Sequence, residues 1–136
     1  MKDRRRFLQD GIASLGLVAL GSPEAPAAFS VTTLYQRDLP PVRLDGWQVT
    51  ALDLIFPPGA RSPKHLHPGF VLGYVLEGEF RFHIEGEPEA VLSTGDVFYE
   101  APGKIHLPSG SASTTRPARL LALAFGEKGK EITKLL

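Results

Sequence analysis

A chain of 136 residues with 43% hydrophobic and 22% charged side chains has enough apolar material for one modest core and no need of a second domain. Its 15 Lys and Arg balance its 15 Asp and Glu, so no basic excess argues for nucleic acid or an anionic membrane surface, and the balance leaves a small neutral or mildly charged ligand open. The absence of cysteine excludes thiolate ligands, disulfides and a cysteine nucleophile, so any bound metal must take nitrogen and oxygen donors.

Residues 1–27 have the texture of an address. A basic start, an apolar run from Gly11 to Leu20, and small residues at Ala25 and Ala27 give the three regions of an export signal. The run is shorter than the ~20 residues that span a bilayer, so no stable membrane anchor is expected. Within it, "RRRFLQ" resembles the twin-arginine signal, with Arg4 and Arg5 as the pair. The resemblance implies export of the folded protein to the periplasm or the outside, and cleavage is expected after Ala27. A basic amphipathic helix is the alternative.

From Phe29 onward, short apolar alternations are cut by Gly and Pro, a texture of many turns and no long helix. The pattern predicts strands near Val31 to Gln36, Trp47 to Phe56, Lys64 to His67, Phe70 to Leu76 and Glu79 to Glu85. Further strands follow near Ala90 to Leu92, Asp96 to Ala101, Ile105 to Leu107 and Ala118 to Phe125. This spacing suits an all-β sandwich or barrel over residues 28–136. "VLEGEFRFH" reads as a hairpin turning at Gly78, Pro108 to Pro117 as a polar loop, and the tail from Gly126 as a short helix or an arm.

His65 and His67 are two apart, so on a strand both imidazoles emerge on one face and can present two nitrogens to one ion. A pair of surface histidines beside Lys64 is the plainer alternative. Gly59 stands six residues before His65 and Gly78 eleven after His67, a frame that resembles the first cupin motif, G-x5-H-x-H-x3-E-x6-G. "GDVFYEAPGKIH" places Gly95, Gly103 and His106 as in the second motif. The resemblance implies a small double-stranded β-helix, or jelly-roll, barrel. It also implies a metal bound inside by His65, His67 and His106, and often a homodimer.

One departure matters. The glutamate of the first motif falls at Val71, or at Leu72 with the longer spacing, and no acidic residue lies between Phe70 and Leu76. Glu100 is a candidate substitute ligand and Tyr99 a candidate hydrogen-bond donor to a ligand, but the pleat alone does not say which faces inward. His83 shares an alternating face with Glu79, Arg81 and Glu85 and reads as solvent-facing.

Three neutral imidazoles leave the charge of a divalent ion uncompensated and positions open, which favours anionic, chelating ligands. Within cupins this resembles the β-diketone-cleaving and thiol dioxygenases. The expectation is therefore an Fe(II)-dependent dioxygenase acting on a small diketone, phenol or carboxylate, with Val71, Val75 and Phe98 shaping the pocket. Imidazole also suits Zn, Mn, Ni or Cu. Two other readings stay open: a binding module that turns nothing over, and a metal-independent isomerase or epimerase with His65 or His106 as base.

Overall fold

The computed structural model describes residues 29–136, and the export signal expected over residues 1–27 lies outside them. Ten strands form among the described residues, and no helix. In chain order they are β1 (Trp47–Phe56), β2 (His65–Leu66), β3 (Phe70–Glu77), β4 (Glu79–Phe82) and β5 (Ala90–Ser93). They continue with β6 (Val97–Glu100), β7 (Ile105–His106), β8 (Gly110–Ser111), β9 (Ala118–Glu127) and β10 (Lys134–Leu135). A four-stranded sheet runs β1, β9, β3, β6, and two three-stranded sheets run β10, β2, β7 and β5, β4, β8. Every pairing is antiparallel.

Alternation decides which face goes inside. Along β9, Ala118, Leu120, Ala122 and Ala124 are buried while Arg119 and Leu121 face out. The same period turns Val71 and Val75 of β3 inward, and Leu52 and Leu54 of β1 join them in the core. At one end Val75, Phe80, Phe98 and Leu120 pack together, with Phe56 and Phe82 against them. At the other, the buried residues are Val71, Ala122 and Ala124, which fill less volume. Gly73, opposite Phe98 in the β3–β6 ladder, lets the ring lie directly on the strand, since a Cβ there would stand 2.0 Å from the ring.

Three expectations change, and one left open is decided. The segment Val31 to Gln36 forms no strand; residues 29–40 run without secondary structure, because their apolar pattern finds no ladder partner among the described residues. Gly78 is not a hairpin turn: β3 pairs with β6 and β9, whereas β4 pairs with β5 and β8. Gly78, at φ +75°, is instead the corner where the chain leaves one sheet for another. The polar run after Pro108 holds a strand, since β8 lies inside it with Ser109, Gly110 and Ser111 buried. The Ser111 hydroxyl lies 2.8 Å from the Arg116 carbonyl and 3.0 Å from that of Ser113, so it is satisfied without solvent. The tail is an arm, with β10 paired to β2.

Candidate metal centre

β2 and β7 pair so that His65 and His106 face each other across the ladder. His67 follows β2, and Gly103, at φ +71°, donates its backbone N–H to the His67 carbonyl at 2.8 Å. That bond ties the turn of the second motif to the first. The three imidazoles converge, with ring centroids 5.0 Å apart for His65 and His67, 5.2 Å for His65 and His106, and 5.3 Å for His67 and His106.

The carboxylate comes from β6. Glu100 is the cross-strand partner of Val71, and its side chain enters the cluster: Oε2 lies 2.8 Å from His67 Nε2, and Oε1 lies 3.5 Å from His106 Nδ1. His67, Glu100 and His106 are all buried and offer ligand atoms within 4.8 Å of one another. Of the two candidates at the end of β6, Glu100 is the one that faces inward. Tyr99 turns to the other face, its ring beside Phe70 and under the Arg37 guanidinium, and its hydroxyl has no hydrogen-bond partner among the described residues. The role expected for Tyr99 is therefore corrected, because successive residues of a strand point to opposite sides. His83 stays outside the cluster, with Nε2 3.1 Å from the Glu87 carbonyl.

Each histidine has a defined orientation. His65 Nδ1 is 2.8 Å from the Pro63 carbonyl, which leaves Nε2 uncommitted. His67 Nδ1 donates to the Ile132 carbonyl at 2.9 Å, with the Thr133 hydroxyl 3.3 Å away, so Nε2 is the nitrogen directed at Glu100. Burial pulls the pKa of His67 down, but the hydrogen bond to Glu100 and the Glu100 charge outweigh it, and the net shift is upward. His106 is held below its ordinary value by burial, with the nearby His67 and His65 adding to the effect and Glu100 opposing it. At 1% exposure, His106 has no hydrogen-bond partner for either ring nitrogen among the described residues. Buried polar atoms are otherwise almost always paired, so an orphaned imidazole beside a carboxylate and two further imidazoles fits a divalent cation. The donor set is nitrogen and oxygen only, the kind that suits Fe, Zn, Mn, Ni or Cu.

Beside His67 and Glu100 lies a cavity of about 110 Å³, walled by Leu52, Leu54, Val71, Phe98 and Ile132. Two of the three pocket residues expected from the sequence, Val71 and Phe98, line it, and the third, Val75, lies in the core beyond. Ile132 and Thr133 were not foreseen as site residues, and the tail carries no periodicity that would have marked them.

The site defines a class. A model of the cupin domain matches residues 52–124, more than half of the sequence, and the chain belongs to that family. Among solved structures it is similar to a cupin-like protein from Thermotoga maritima, 26% identical, with a TM-score of 0.56 over 65% of this chain and 64% of that one. A DMSP lyase from Ruegeria pomeroyi is 28% identical, with a TM-score of 0.56 over 64% of this chain and 42% of that one. The chain thus spans less than two thirds of the length of either. A Klebsiella pneumoniae protein with a double-stranded β-helix domain, 19% identical with a TM-score of 0.54, supports the fold alone. No curated protein matches the chain.

Proposed function

We propose that this cupin is a metal-dependent oxidoreductase of the dioxygenase type, in which His65, His67, His106 and Glu100 hold Fe(II) and a small chelating anion is the substrate. The observation that carries this reading is the buried group of His67, Glu100 and His106, in which both ring nitrogens of His106 are orphaned, with the His65 ring stacked 5.2 Å from that of His106. When bound, a ferrous ion supplies Lewis acidity and a common template for substrate and dioxygen. The rest is done by the chain. Glu100 cancels one of the two positive charges expected to stand uncompensated on three imidazoles, so the matching head group carries a single negative charge. The Ile132 carbonyl keeps His67 presenting Nε2, and the apolar walls exclude water from the reacting centre.

The test is oxygen uptake by protein purified anaerobically and loaded with iron, screened against small diketones, phenols and carboxylates. Uptake that disappears in His106→Ala supports the reading, and turnover that persists in His106→Ala without metal sinks it. The likeness to a DMSP lyase supports a second reading, elimination without oxygen, which the same screen separates by product formation under nitrogen. We further propose that residues 1–27 direct export and are removed. N-terminal sequencing of exported protein that still begins at Met1 would refute the cleavage.

A further inference from the structure

Beside the cluster a pocket of about 110 Å³ enters between the core strands, room for about four waters. It opens where β3 and β9 contribute Val71, Ala122 and Ala124, the small residues of the core, and where Gly73 lets the Phe98 ring lie flat. Its polar groups sit at one place: His67 and Glu100, with Thr133 beside them. Among the described residues no Lys or Arg lines it, so none of them would neutralise a second anionic group or hold a phosphate there.

From this we infer that the cavity is the specificity pocket for the substrate's tail, and that it takes a short aliphatic chain of roughly three or four carbons attached to the chelating head. The inference rests on the metal-dependent reading and narrows it. The volume lies well below the roughly 300–1,000 Å³ of pockets that hold drug-sized ligands, so bulky aryl tails and second carboxylates are excluded. The far wall is the arm that carries Ile132. It is held by the two-residue β10, by the His67 contact and by the bond from the Leu136 N–H to the Lys64 carbonyl. Pocket length and histidine orientation therefore depend on the same segment.

Straight-chain alkyl hydroxamates of increasing length, titrated into the zinc-loaded protein, test the inference. Each chelates through one head and differs only in its tail. Affinity is expected to tighten about fourfold per methylene until the pocket is full and then to fall. Ala122→Leu should abolish the gain from the longer tails without changing zinc content, and Ile132→Ala should move the optimum to a longer chain. Affinity independent of tail length, or rising steadily through the eight-carbon member, would overturn the pocket. A protein that takes up no zinc defeats the metal-dependent reading separately. Xenon NMR on the metal-stripped protein then still decides the cavity: a xenon shift lost in Ala122→Leu upholds an apolar ligand pocket, and no xenon shift in wild type removes it.

Discussion

Glu100 stands directly across the β3–β6 ladder from Val71, the position at which the family's first motif carries its glutamate. Cross-strand partners share a face, so a carboxylate on β6 reaches nearly the same inner space as one on β3. The buried cluster therefore contains a carboxylate, contributed by β6 rather than by β3. The expectation of an ion held by three imidazoles alone is revised accordingly, since Glu100 approaches both His67 and His106.

The relocation predicts an exchange. Glu100→Gln should weaken zinc binding at least about tenfold, by comparison with groups that merely orient a ligand. Val71→Glu combined with Glu100→Val should recover much of the loss. Isothermal titration of the three variants checks it, and a double variant no better than Glu100→Gln would contradict the equivalence of the two positions.

Protonation of His67 supplies a second prediction. Its folded pKa lies above the ordinary 6.5, so in the metal-stripped protein it contributes stability below that value, and the contribution is lost as pH rises through the folded pKa. His106 acts in the opposite sense: its lowered pKa removes stability as pH falls through 6.5. NMR titration of wild type should place the His67 midpoint above 6.5, and in Glu100→Gln, where burial remains and the carboxylate does not, below it. Because an ion displaces the His67 proton, zinc affinity should also weaken as pH drops below that midpoint. A wild-type midpoint at or below 6.5 contradicts the pairing.

The arm should matter through one backbone atom. Removing residues 132–136 takes away the carbonyl that accepts from His67 Nδ1 and should weaken zinc binding about 10–100-fold. Ile132→Ala keeps the carbonyl and should leave zinc binding unchanged. Equal affinity in the truncated and intact proteins would show that the arm does not orient His67.

Gly73→Ala tests the packing that shapes the cavity. A Cβ there would meet the Phe98 ring at 2.0 Å, so the ring must shift toward the open space or the strand must bend. A loss of about 1–3 kcal/mol is expected, read as a lowered thermal midpoint. An unchanged midpoint would mean that the ring is not held against the strand.

The histidines were legible because their spacing survives in the sequence: His65 and His67 keep strand period, and Gly103 sits three before His106. The all-β class was legible for the same reason, since alternation along β1, β3 and β9 is set by burial of one face. Glu100 could be named but not placed. Whether it or Tyr99 faces inward depends on the β3–β6 register, and a slip of one residue reverses the answer. Gly78 misled because a glycine between two apolar runs looks alike in a hairpin and at a corner between sheets. β10 was not foreseen as a strand, because a two-residue strand has no period and its pairing with β2 is a long-range contact.

The most direct measurement is the metal content, by mass spectrometry, of untagged protein purified without chelator or oxygen, as wild type, His67→Ala and Glu100→Gln. The account predicts one divalent ion per chain in wild type, its loss in His67→Ala and a clearly lowered content in Glu100→Gln. An ion retained in full by Glu100→Gln, or none in a folded wild type, would contradict a centre that joins the three histidines to the carboxylate of β6.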